Sequence, residues 1–489
     1  MPAILVALVV YPVVVAAACL FLPVRAAQAL SVLSGVAAGV LTIVLVPAVA
    51  HQDVTIGFLR LDALGAVFLL ANGFLYAVLT VYSVGYFRAE EQLADFPRYA
   101  RRFYAGFNVF AWAMLVAPLV TGLALLWIAV EITTVVSALL VAIDDTDAAS
   151  EAAWKYVLIA SSGLGIGLLG TIVMYSAGAS VIGAHYDLAF APLLAVSHHL
   201  QATPIRLAFV LAVVGYGTKM GLVPVHTWLP DAHSEAPTPV SALLSAGLLS
   251  TSFYAILRFY QVAVGTLGPG FPQGVLLVFG VLSLLLAALS LLGQHDVKRL
   301  LAYSSVEHMG ILAIGIGFGA PLAYAGVLLH VLAHAAAKAN AFMGAGSFLR
   351  RYRTKELGVI RAGLDVLPWS APLFLLAILA LSALPPFGIF RSEFELVAGG
   401  LASGRHVFAV VLVVLVTVAF AGLSWAATRM VRAPAPAGGR PLPPRGETSA
   451  WMVVPMVAGL VVLLILGVHP PGDLADLLAR GVAELGSTR

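Results

Sequence analysis

The feature that most constrains this chain is a run of about twenty apolar residues, enough for one helix to cross a bilayer, repeated along nearly all 489 residues. Hydrophobic residues make up 61% of the chain and charged residues 10%, against about 25% charged in soluble domains. A water-soluble globule has no core large enough to hide that much apolar side chain. The chain reads as an all-α integral membrane protein. Marking the runs predicts fourteen transmembrane helices, the shortest over 104–120 and 301–318. The opening MPAILVALVVYP lacks a basic leader and reads as a retained first span.

The apolar runs group into a three-span segment (1–103), a five-span block (104–260), a second five-span block (261–430), and a linker, last span and short tail (431–489). Five spans per block means that the second block enters from the opposite side, predicting two inverted repeats with Pro-broken helices. The breaks fall at Gly221 and Pro224 in one block and at Pro385, Pro386 and Gly388 in the other. Basic residues sort unevenly between the two sets of loops, 17 against seven. The positive-inside rule then places both termini outside a bacterial plasma membrane. The stretch 432–447, RAPAPAGGRPLPPRGE, reads as a mobile inside linker, and 471–489 as a tail lying along the surface.

Net charge is only +3 and its carriers are scattered, which speaks against a nucleic-acid partner. A single cysteine, Cys19, rules out an internal disulfide, a Cys-ligated zinc, an iron–sulfur cluster or a nickel–iron centre in this chain. Any redox chemistry must sit in a partner, and no active site of its own is expected here.

Against this apolar background, four charges stand inside spans or at a helix break. They are Glu131 in LLWIAVEITTVV, Lys219 in GYGTKMGLVP, Lys338 in HAAAKANAF and Glu393 in GIFRSEF. Each costs roughly 2.5–3.5 kcal/mol at a bilayer centre unless paired or hydrated. A fixed Glu131–Lys219 ion pair tying two helices would explain two of them. A lysine beside a broken helix suits a protonatable site better. His330, His334 and Lys338 recur at four-residue steps and share one helix stripe. That stripe reads as a proton wire. It also matches a one-helix zinc clamp, but no third ligand is local and the lysine opposes a cation, so no metal is expected. Asp144, Asp145 and Asp147, with His185, His198 and His199, read as wet loop residues. Gly165, Gly167 and Gly170 match a dinucleotide fingerprint in letters only; mid-span, they read as close helix packing.

The stretch YGTKMGLVPVHTWLPDAHSEAPTPVSALLSA (216–246) carries Lys219, the break, then His226, Asp231, His233 and Glu235. It resembles the shared motif of the antiporter-like membrane subunits of respiratory complex I, Mrp cation/proton antiporters and group 4 nickel–iron hydrogenases. QHDVKRLLAYSSVEHMG, with Glu307 and His308, resembles a second motif of that family, and 328–346 and 383–397 a third and fourth. The wording is closest to hydrogenase-4 and formate hydrogenlyase-type subunits. The resemblance implies that Glu131 pairs with Lys219, that His330, His334 and Lys338 form a central hydrophilic axis, and that Glu393 is the exit residue. It further implies sister membrane subunits and a soluble arm as partners, the arm holding nickel–iron and iron–sulfur centres. Where many members carry a bridging Lys or His, this chain has Ser250. The long lateral helix that one complex I subunit type extends is not expected after the fourteenth span. A secondary cation/proton antiporter without a redox arm, and a coupling subunit for inorganic-carbon uptake, are the other functions consistent with these motifs.

Overall fold

The protein is described by a computed structural model over residues 1–183, 185–434 and 441–486. Part of the 432–447 linker therefore lies outside the described residues. The chain opens with α1 (Pro2–Cys19) and α2 (Val24–Val49), then an antiparallel hairpin of β1 (Val54–Ile56) and β2 (Leu59–Leu61). Next come α3 (Ala63–Tyr86), α4 (Phe96–Val116), α5 (Leu123–Val141), α6 (Asp147–Ile182) and the short α7 (Phe190–Ala195). α8 (Ala202–Met220) and α9 (Trp228–Glu235) precede α10 (Thr238–Leu243), which runs through a π turn at Leu244–Leu248 into α11 (Leu249–Leu267). α12 (Gly270–Leu291), α13 (Val297–Phe318), α14 (Pro321–Tyr352) and the single turn α15 (Gly363–Val366) follow. The chain closes with α16 (Ser370–Leu381), α17 (Gly388–Ala402), α18 (His406–Arg432), α19 (Ala450–Val468) and α20 (Gly472–Gly486).

Eleven helices, among the described residues and counting Thr238–Leu267 as one, are long and apolar enough to cross a membrane. The three remaining sequence spans differ for local reasons. The 104–120 run becomes the end of α4, whose first turns carry Arg98, Arg101 and Arg102. The 205–229 and 367–389 runs are each cut in two.

Burial separates the helices into centre and rim. The apolar window of Thr238–Leu267 is 100% buried and that of α13 94%, against 28% for α18 and 33% for α1. The rim helices bare large apolar side chains such as Ile43, Leu139, Trp154, Leu289, Val407 and Val454. A belt of this kind is a liability in water and a requirement in lipid. α14 lies at the centre, packed against α3, α10, α13, α16, α17 and α19.

Small residues let α6 and α8 approach closely. A Cβ on Gly215 would sit 2.4 Å from the backbone nitrogen of Gly167, and one on Gly163 would meet Thr218 at 2.5 Å. Of the three glycines singled out in sequence, Gly167 and Gly170 do pack against α8, whereas Gly165 faces open space and Gly163 takes its place. The tail forms α20, which lays Leu474, Leu477, Leu478 and Leu485 against the body while its other face stays open.

Candidate functional site

Two helix breaks set the geometry. α8 ends at Gly221, whose φ of +86° is the left-handed conformation that glycine adopts without strain. The Leu222 N–H then donates to the Gly217 carbonyl at 2.8 Å, closing the turn. The indole N–H of Trp228 takes the freed Thr218 carbonyl at 2.8 Å, and the Val223 N–H finds Ser283 Oγ on α12 at 2.9 Å. The second break runs from Ser382 to Phe387, where Pro385 and Pro386 cannot donate. A Cβ on Gly467 would lie 1.9 Å from the Pro386 carbonyl oxygen, so α19 presses directly on this break.

Lys219 ends fully buried at the first break. Its ammonium donates to Thr134 Oγ1 on α5 and to the Tyr156 hydroxyl on α6, the latter at 3.0 Å. Tyr156 is in turn 2.7 Å from Ser137 Oγ. Glu131 lies elsewhere on α5, receiving Ser161 at 3.4 Å and leaving its other oxygen buried without a partner. The direct Glu131–Lys219 pair implied by resemblance is therefore corrected: the charges are neighbours, and two hydroxyls take the ammonium. Glu131 instead lines an open apolar recess of about 280 Å³ with Trp127, Ile128, Ile132, Val135 and Val136.

Between the halves, Ser250 donates to its own helix at the Ala246 carbonyl, 3.2 Å away. Closer to α13, Ser245 Oγ in the π turn and Ser305 Oγ stand 2.6 Å apart. Lys338 on α14 is fully buried and donates to the Leu301 carbonyl at 2.9 Å. Glu307, also on α13, keeps one oxygen buried and without a partner.

The second half gathers histidines. His308 Nδ1 and His330 Nε2 are 3.0 Å apart, and His330 Nδ1 is 2.9 Å from Ser392 Oγ. Ser392 donates its one hydroxyl proton to the Ile389 carbonyl at 2.8 Å, so it accepts from His330 Nδ1–H. In the tautomers that match this arrangement, His330 Nε2 accepts, His308 Nδ1 donates, and His308 Nε2 keeps its lone pair. His334, with its ring centred 5.1 Å from that of His308, has both nitrogens buried and without partners. Glu393, on α17 beside Ser392, is 8% exposed with one unpartnered oxygen. Glu307 and His308, supporting residues in the motif reading, thus stand among the central groups.

The other motif residues do a different job. Asp231 pairs with Lys155 at 3.2 Å and Arg299 at 2.9 Å, and Glu235 pairs with Lys355 at 2.6 Å. Asp231 thus clamps α9 to α6 and α13, and Glu235 clamps it to the connection after α14. His233 is buried and anchored through Nδ1 to the Leu229 carbonyl at 2.8 Å, and His226 Nδ1 is buried without a partner.

One cluster escaped the sequence reading. Arg258 lies within α11 and grips the Asp62 carboxylate at 2.6 and 2.7 Å, both side chains under 8% exposed. Glu484 of α20 accepts the N–H groups of Ala63 and Leu64, 3.0 and 2.9 Å away, at the start of α3. A local apolar run would not reveal a pair 196 positions apart, and an Asp before an apolar run was the available signal for a helix cap.

Comparison with known proteins agrees with this architecture. The family described as "NADH:quinone oxidoreductase/Mrp antiporter, TM" matches residues 120–420. The Hydrogenase-4 component F homolog of Methylacidiphilum infernorum is 34% identical over 74% of this chain and 76% of its own. The NADH-quinone oxidoreductase subunit N of Desulforudis audaxviator is 32% identical over 76% and 75%. In fold, a chain of the Mrp complex from a Dietzia species superimposes with a TM-score of 0.86, covering 99% of this chain and 97% of that one at 20% identity. With its broken helices, buried lysines and central histidines, the chain belongs to the NADH:quinone oxidoreductase/Mrp antiporter transmembrane family.

Proposed function

We propose that this chain is the proton-translocating membrane subunit of a redox-driven complex, hydrogenase-4-like or NADH dehydrogenase-like, working from the plasma membrane of a bacterium. Fourteen spans, with blocks 104–260 and 261–430 as inverted half-channels and both termini outside, are the arrangement this reading uses. Nickel–iron and iron–sulfur centres belong to a soluble partner arm, and sister membrane subunits pack beside the chain. The observation that carries the reading is the buried line of titratable groups, broken-helix lysine first and unpartnered histidine lone pairs last.

In this mechanism Glu131 is the movable charge. Its approach to Lys219 favours the ammonium, and its withdrawal favours release of the proton. The proton then crosses towards Lys338 through the Ser245–Ser305 contact, which joins the π turn to α13, and through Glu307 with intervening water. From Lys338 it passes His334 and the His308–His330 pair, each imidazole able to accept on one nitrogen and donate from the other, and leaves by Glu393.

The experiment is a tagged purification of the intact assembly in mild detergent, with subunits identified by mass and metals quantified. Iron arriving with cysteine-rich subunits is the expected result. Membrane partners free of iron, together with sodium-dependent proton movement in vesicles lacking an electron donor, would replace this reading with that of a secondary antiporter.

A further inference from the structure

Three helices distant in sequence bring His308, His330 and Glu393 to one point. One ring nitrogen from each histidine and one carboxylate oxygen lie within 4.8 Å of one another. Two observations set the cluster apart from ordinary core packing. The first is orientation. His330 is held by its Nδ1–H on Ser392, which turns the Nε2 lone pair towards His308, the arrangement in which an outer hydrogen bond steers a metal-binding imidazole. The second is unused capacity. Glu393 Oε1 is buried without a partner, although buried polar atoms are nearly always satisfied.

We infer that His308, His330 and Glu393 form an intramembrane site for a divalent transition-metal ion of the Zn²⁺ type, with water as the fourth ligand. Two imidazoles and a carboxylate around an open position suit zinc. Zinc–ligand bonds of about 2.0–2.1 Å place tetrahedral ligand atoms about 3.3 Å apart. The two facing nitrogens are already 3.0 Å apart, so the main movement falls to the Glu393 side chain. The proton on His308 Nδ1 shifts to its free Nε2 as the ion replaces the hydrogen bond. Lys338 is turned to the Leu301 carbonyl, and Glu393 supplies the negative charge. With 8% exposure against none for the two histidines, Glu393 marks the side from which an ion would arrive. The His330-x-x-x-His334 clamp considered in the sequence is not this site: α13 and α17 bring His308 and Glu393 to His330, and His334 is not among the three.

Binding rests on this geometry. Its consequence, arrest of proton passage by an ion that locks both imidazoles, rests on the proposed function. The test uses the purified assembly containing the full chain, with Co²⁺ as an optical probe and Zn²⁺ as competitor. One Co²⁺ per chain with tetrahedral d–d absorption, displaced by Zn²⁺, is expected. His330→Gln and Glu393→Gln should each abolish it, Ser392→Ala should weaken it roughly 10–100-fold, and His334→Gln should keep it while losing proton transport. Absence of stoichiometric binding in the unmodified protein, or persistence of the signal in assembled His330→Gln and Glu393→Gln, overturns the site. Should those variants fail to assemble, zinc-edge absorption of the unmodified protein decides, since an ion shell without two imidazoles also overturns it. Unchanged proton pumping with the site filled by Zn²⁺ would instead overturn the path reading and leave the site standing.

Discussion

At the scale of single residues, the most consequential contact outside the central line is Arg258 with Asp62. Both are buried, and the guanidinium also meets Tyr254 and Gln261. Removing one partner of such a pair leaves an uncompensated buried charge. Arg258→Ala is expected to cost about 3–5 kcal/mol, read as a lower unfolding midpoint in detergent. Burial pushes the Asp62 carboxyl up, but the charge and hydrogen bonds of Arg258, the Gly65 amide and Arg60 outweigh it and hold the group below its ordinary value. Its folded-state value being depressed, the stabilisation is complete above the usual carboxylate value near pH 4. It drains as pH falls through the lower folded value. Arg258 was legible as a charge and illegible as a core residue, because its partner is fixed by the packing of α3 on α11 and by nothing in the local window.

At the scale of elements, two contacts lend themselves to measurement. The α6–α8 crossing depends on backbone touching backbone at Gly167 and Gly215. Gly215→Val would force the helices apart, with an expected cost of about 1–3 kcal/mol, visible as a lower thermal midpoint of the assembled protein. The docking of α20 depends on Glu484 at the start of α3. Burial and the Asp62 charge push the Glu484 carboxyl up to about 7, against the opposing pull of the Leu64 and Ala63 amides and Arg258. The raised folded value means that docking is strongest below about pH 4.3 and weakens as pH rises through about 7. Amide exchange protection in α20, corrected for intrinsic rates, should fall across that window, and Glu484→Gln should remove the fall. The helix breaks themselves were legible, since Gly221, Pro224, Pro385 and Pro386 announce them. How the breaks are sealed was not: Trp228 on the Thr218 carbonyl and α19 pressing on Pro386 are tertiary facts.

At the scale of the whole molecule, the apolar run lengths carried helix positions to within a few residues where the helix is unbroken, as the 301–318 run inside α13 (Val297–Phe318) shows. The run lengths work because lipid demands that each segment satisfy its own backbone. The convergence of His308, His330, Ser392 and Glu393 was beyond reach, because those residues come from three separate helices whose facing is decided by packing. The replacement of a Glu131–Lys219 ion pair by Thr134 and Tyr156 was hidden for the same reason: both hydroxyls sit in stretches that read as plain span. The consequence is functional. In the proposed mechanism a carboxylate held by Ser161 alone, and not by the ammonium, is the one that moves. Tyr156→Phe should therefore leave the assembly intact and slow proton uptake, whereas an equal rate would remove the phenol from the relay.

The most direct measurement is proton uptake by vesicles bearing the intact complex, driven by its electron donor, with Lys219→Ala in place of the native chain. Assembly and bound metal are expected to match the unmodified complex while coupled uptake disappears. Undiminished uptake by an assembled Lys219→Ala complex would contradict the assignment of the proton path to this chain.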